Sequence, residues 1–198
     1  MTKSFRNNLK LLRYYQNWEG TAQPSGWSVD STYAITVNDG VTIDAINNNG
    51  FYYYSGAFGS PIILETFGQT NPNTGFVAAC HALGSSPDSS NNGFDPTWRP
   101  YGSSTQWEYS IAGSWSSQSS VPLPPANTNY IASIQETPSS TNILVNGVSL
   151  VTSGTGMPSG YYYSYLADAS ASDMMYWLRT RAYPPNGSMP SVSFSAVQ

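Results

Sequence analysis

Apolar and polar residues alternate with a period of two along much of this chain, the pattern of half-buried β-strands. In "YAITVNDGVTIDAI" two β-branched runs flank Asp39-Gly40, a dipeptide suited to the positive φ angles of a type I′ hairpin turn. "TNILVNGVSLV" repeats the device around Asn146-Gly147. Further strands are expected at Phe51 to Ser55, Pro61 to Phe67, Gly75 to Ala82, Gln106 to Ala112, Asn129 to Gln135, Tyr161 to Ala167, Met174 to Ala182 and Val192 to Val197. A helical period of 3.6 is confined to Phe5 to Tyr15. So many short strands with polar turns imply an all-β fold, a two-sheet antiparallel β-sandwich, because each sheet must cover its apolar face. No repeat of fixed period runs through the chain, which argues against a propeller or solenoid. The stretches Gly84 to Thr105 and Gly113 to Thr128, rich in Ser, Pro, Gly and Asn, are expected to be loops.

Composition sharpens this picture. Charged residues make up 9% of the 198 residues, against roughly 25% in an average soluble domain. Hydroxyls and amides must therefore supply the polar exterior. The net charge of −4 is unevenly placed: Lys3, Arg6, Lys10 and Arg13 stand in the first thirteen residues, which hold no acid. The remaining body has three basic against eleven acidic residues, a balance of −8 that disfavours nucleic-acid binding by the main domain. Residues 1–13 are thus expected to form a basic N-terminal arm, with a domain over 14–198. The arm's positive start lacks the apolar run and small-residue cleavage site of a secretory signal peptide. It is a candidate anchor to an assembly partner, through which the chain would form a homo-oligomer or array. No run of eighteen apolar residues marks a membrane-spanning helix.

The opening "YYQNWEGTAQPSGWSVDSTYAITVNDGVTI" resembles the start of the concanavalin A-like lectin/glucanase superfamily, in the laminin G-like form found in bacterial and archaeal surface proteins. "FYYYSGAFGSPIILETFG", "NILVNGVSL" and "YWLRTRAYPPNGSMPSVSF" are similar to its later strands. The resemblance implies a concanavalin A-like jelly-roll and a lectin-like role: non-catalytic contact with carbohydrate or neighbouring protein subunits on a cell envelope or virus particle.

The sugar-cleaving branch of that superfamily needs two carboxylates flanking the scissile bond. This chain has four glutamates, Glu19, Glu65, Glu108 and Glu136, with no Glu-x-Asp-x-x-Glu run. A glycoside hydrolase using Glu65 and Glu108 across one concave sheet is the alternative reading. His81 is the only histidine and Cys80 the only cysteine, which removes triads with a Gly-x-Ser-x-Gly elbow, the usual zinc sites and any internal disulfide. Cys80 sits in an apolar run and reads as a small buried hydrophobe. Asp88 and Asp95 would suit a calcium loop or simply a polar turn. Phosphate loops and dinucleotide fingerprints are missing, so no nucleotide cofactor is expected; no cofactor and no metal ligands are assigned, the calcium loop at Asp88 and Asp95 standing beside the polar-turn reading. Asn186-Gly187-Ser188 is an N-glycosylation acceptor triplet, consistent with an exposed loop.

Binding chemistry concentrates elsewhere. In "MMYWLRTRA" alternation puts Trp177, Arg179 and Arg181 on one face and Tyr176, Leu178, Thr180 and Ala182 on the other, the core side. Trp and Tyr rings stack on sugar faces, and guanidinium groups bond hydroxyls or pack over the rings. The same residue types also dominate protein interfaces. The candidate ligand-binding set is Trp177, Arg179, Arg181, Tyr163, Trp98 and Arg99.

Overall fold

A computed structural model describes residues 12–29, 34–44, 50–58, 61–69, 79–84, 94–101, 106–111, 114–118, 125, 127–155, 161–167 and 174–184. Fifteen strands run through them: β1 (Leu12–Asn17), β2 (Trp27–Val29), β3 (Ala34–Val37), β4 (Val41–Asp44), β5 (Gly50–Phe58), β6 (Ile62–Gln69), β7 (Ala79–Gly84), β8 (Phe94–Tyr101), β9 (Gln106–Ile111), β10 (Ser114–Gln118), β11 (Asn129–Thr137), β12 (Ser140–Val145), β13 (Val148–Ser153), β14 (Tyr161–Ala167) and β15 (Met174–Ala182). Among the described residues there is no helix, and so none that is long and apolar enough to cross a membrane.

Eight strands form one sheet in the order β13-β12-β11-β6-β15-β4-β3, with β1 also beside β15. β4 meets β15 at Met175 while β1 runs along Trp177 to Arg181, so the two share one flank of β15 end to end. The other sheet has the order β10-β9-β8-β7-β14-β5-β2. Every pairing among the described strands is antiparallel, and the chain passes repeatedly from one sheet to the other. The result is the expected two-sheet antiparallel β-sandwich of jelly-roll type.

Alternation decides what the sandwich encloses. Ile62 and Leu64 of β6, Tyr130, Ala132 and Ile134 of β11, and Ile143 and Val145 of β12 are all buried in one apolar cluster. Each of the isoleucine, leucine and valine side chains contributes roughly 1.5–3 kcal/mol on leaving water. An aromatic latch joins the sheets. Tyr14 of β1 stacks on Tyr54 of β5 at 4.4 Å, and Trp18 meets Trp27 of β2 edge-on at 5.1 Å. Trp27 Nε1 donates to the Tyr14 hydroxyl at 3.0 Å. Burial holds that hydroxyl above the ordinary tyrosine pKa of 10.0; the Trp27 hydrogen bond only partly opposes it.

The two hairpin turns differ. Asn146 and Gly147 have φ of 50° and 78°, the expected two-residue type I′ turn, with Val145 paired to Val148. Its Asn146 Oδ1 accepts from the Ile131 N–H at 2.9 Å, tying the turn to β11. The β3–β4 connection is instead a three-residue loop, Asn38 to Gly40, between paired Val37 and Val41. Only Asp39 has a left-handed φ, of 50°. Gly40 serves another need: a Cβ there would stand 2.7 Å from Met174 Cγ and Sδ.

Three other expectations are corrected. The stretch Gly84 to Thr105 contains β8, and Gly113 to Thr128 contains β10. Proline is what disguises β8. Pro96 falls where the β7–β8 register shifts, between Ala82 and Gly84, and Pro100 lies beyond the span paired to β7, so neither missing N–H interrupts that ladder. β10 is a serine-rich strand that, among the described strands, lies at the sheet edge and pairs only with β9, with little apolar signal to betray it. Leu12 to Tyr15 belong to β1, not a helix, because pairing with β15 overrides local period. Residues 1–11, most of the expected arm, lie outside the described residues, as do Gly75 to Ala78, Asp88, Asn186 to Ser188 and the expected strand Val192 to Val197.

Candidate functional site

The face of the eight-stranded sheet turned away from the core carries the candidate chemistry, and register arranges it in rows. The first row is Trp177 on β15, Phe67 on β6 and Ile131 on β11. The second is Arg179, Glu65, Ser133, Leu144 and Ser149; the third is Arg181, Ile63, Gln135, Asn142 and Thr152. Trp177 packs 5.7 Å from Phe67 with nearly parallel rings, and 6.3 Å from Tyr15 of β1. Tyr15, which is in register with Arg179, and Ile131 are 50% and 40% exposed, so the aromatic patch around Trp177 is open on both flanks.

A bulge sets the polarity of β15. Met175 pairs with Gly68 and Trp177 with Phe67, leaving Tyr176 as an extra residue. Met175 therefore packs in the core while Trp177, two positions later, faces out. Alternation places Tyr176 on the core side with Leu178, but its ring lies 5.4 Å from Phe67. Leu178 and Thr180 are buried as expected.

Glu65 is the electrostatic centre. Arg181 grips it with both ends of a fork, Nε to Oε2 at 2.8 Å and Nη2 to Oε1 at 2.7 Å, and Arg179 Nε adds a bond to Oε2 at 2.6 Å. Burial pushes the carboxyl pKa up, yet the hydrogen bonds from Arg181 and Arg179, with their charges, prevail and hold it below the ordinary 4.5. The Arg179 guanidinium also lies over the Trp177 ring, 5.0 Å from its centroid, an arrangement worth roughly 0.5–1 kcal/mol at an exposed site. Beyond Glu65, Asn142 Nδ2 donates to Gln135 Oε1 at 3.2 Å and its Oδ1 accepts from Ser149 and Thr152 at 2.9 and 3.0 Å.

The six sequence candidates divide between the sheets. Trp177, Arg179 and Arg181 come together on β15. Tyr163 belongs to β14, and Trp98 and Arg99 to β8, in the seven-stranded sheet. There Tyr163 is the cross-strand partner of Tyr54, Trp98 is in register with His81 and Tyr109, and Arg99 is in register with Glu108. Sequence reasoning missed Tyr15 and Phe67 as neighbours of Trp177. Phe67 was within reach, since it shares parity with Glu65 in "IILETF".

The glutamates do not converge. Glu65 and Glu108 sit on different sheets, so the expected meeting across one sheet does not occur. Glu136 is fully buried and accepts from Thr141 Oγ1 at 2.8 Å, and Glu19 is exposed. Among the described residues no three His, Cys, Asp or Glu side chains gather as metal ligands would.

No protein-family model matches the chain, and no curated protein does. Solved structures do. The carbohydrate-binding module CBM66 from Bacillus subtilis is similar with a TM-score of 0.61 at 12% identity, covering 83% of this chain and 100% of that one. The VIP36 exoplasmic/lumenal domain, in its Ca2+/Man3GlcNAc-bound form, aligns with a TM-score of 0.62 at 8% identity over 88% of each chain. The Crh5 transglycosylase in complex with NAG gives a TM-score of 0.62 at 15% identity, covering 89% of this chain and 87% of that one. Likeness at such identities shows the fold alone, a two-sheet antiparallel β-sandwich of jelly-roll type.

Proposed function

We propose that the chain is a non-catalytic recognition module that binds glycans at an exterior surface, of a cell envelope or a virus particle, through the outer face of its eight-stranded sheet. The observation that carries this reading is Trp177, placed beside Phe67 and Tyr15 with the Arg179 guanidinium over it and a row of amides and hydroxyls beyond. Sugar rings stack on such aromatics while guanidinium and amide groups bond their hydroxyls. Two fold neighbours, a carbohydrate-binding module and a glycan-bound lumenal domain, support it.

The transglycosylase neighbour motivates the second reading, sugar cleavage. That chemistry needs a free acid and a second carboxylate near it. Glu65 is instead neutralised by two arginines and kept ionised, which suits a structural role. A glycan array tests the proposal: wild type is expected to bind at least one saccharide, and Trp177→Ala to lose it by about tenfold or more while melting normally. Release of reducing ends from a polysaccharide panel would favour the hydrolase, and an empty array would leave contact with protein subunits as the function.

A further inference from the structure

Charges on the outer face do not cancel. Two guanidinium groups stand against one carboxylate, a local surplus of one positive charge in a chain whose net charge is −4. Of the three basic residues beyond the first thirteen, two are here.

The two arginines are used differently. Arg181 commits its fork to Glu65, and its side chain is 18% exposed. Arg179 gives Glu65 only its Nε, and its side chain is 37% exposed. Among the described residues neither Nη group of Arg179 has a hydrogen-bond partner. That leaves the Nη1–Nη2 edge of a planar, permanently charged group unused beside Trp177. Such an edge matches a carboxylate, which can accept two parallel N–H bonds from it. Glu65 holds the group by its Nε and so fixes its plane, which reduces the rotamer entropy a ligand must overcome.

We infer that this face selects acidic saccharides, with a sugar carboxylate seated on Nη1 and Nη2 of Arg179 and the sugar ring against Trp177 and Tyr15. The inference rests on the glycan-binding reading above and narrows it to carboxylate-bearing sugars. A neutral sugar would offer only hydroxyls to a charged fork. The chain's overall negative charge would repel polyanions elsewhere, so the surplus at Arg179 gives a local preference without general stickiness.

Calorimetric titration of the whole chain against matched pairs tests it. One pair is oligogalacturonate as the free acid and as its methyl ester, with the acid within the polymer; the other is sialyllactose as the free acid and as its methyl ester, with the acid at a terminus. Wild type is expected to bind the acid member of one pair about tenfold or more tightly than its neutral counterpart, the worth of a charge-assisted bidentate contact. Which pair responds identifies the source of the carboxylate. Arg179→Gln should bring the two members level, and Arg179→Lys should restore only part of the preference because an ammonium has no fork. The Arg181–Glu65 pair persists in both variants, and the ester comparison on wild type decides the matter even if a variant folds poorly. Equal binding of acid and neutral members, or a preference for the neutral one, overturns the inference while glycan binding stands. Failure of every glycan, acidic or neutral, overturns both.

Discussion

On β6, Ile62, Leu64 and Thr66 point to the core while Ile63, Glu65 and Phe67 point away, yet Ile63 and Glu65 are hidden almost as thoroughly as their inward neighbours. The inner positions are buried by apolar contacts that many hydrophobic residues would supply. The outer ones include a carboxylate, which stays buried only because two guanidinium groups complete it. Packing tolerates local loss in proportion to volume, whereas an ion cluster fails when one member leaves. The inner face also has its own defect: Thr66 and Thr180 are fully buried and their hydroxyls have no hydrogen-bond partner among the described residues.

The sharpest way to break this contrast is on the inner face. Leu64→Ala should lower unfolding free energy by about 2–5 kcal/mol, read as a fall in denaturant midpoint at unchanged slope. A loss under about 1 kcal/mol would mean the cluster around Leu64 is not the core. Glu65→Gln comes next, at about 1–3 kcal/mol, less than a fully buried pair because Arg179 retains access to water. Its pH dependence separates it from a packing defect. The Glu65 pKa is lower folded than unfolded, so its stabilisation is complete above about 4.5 and is lost as pH falls through the folded value. The gap between wild type and Glu65→Gln should therefore close in acid, while the Leu64→Ala gap persists. The smallest effect is expected from Thr66→Val, which should be neutral or stabilising by up to about 1 kcal/mol because it removes an unpaired hydroxyl. Destabilisation there by more than that would reveal a partner for Thr66.

Much of this was legible from alternation alone. "TNILVNGVSLV" specified its hairpin down to the turn, and "WLRTR" put Trp177, Arg179 and Arg181 on one side with Leu178 and Thr180 on the other. Legibility failed where the deciding partner is remote. Nothing local in "IILETF" says that Glu65 will face two arginines 114 and 116 residues later, because strand order is a property of the whole sheet. Tyr15 was obscured for the same reason, its strand being defined by β15 at the far end of the chain. In β8, loop-like composition concealed a strand whose prolines happen to sit at a register shift and beyond a neighbour's reach.

Tyr176 matters more as a spacer than as a ring. It is the one extra residue by which Met175 and Trp177, two apart in the chain, face opposite sides; without it Met175 opposite Gly68 and Trp177 opposite Phe67 would simply alternate, both arginines still outward and Leu178 with Thr180 still inward. Which side chains of β15 look outward is therefore dictated by its ladder with β6, and the bulge is the place where a change of length in this strand can be absorbed.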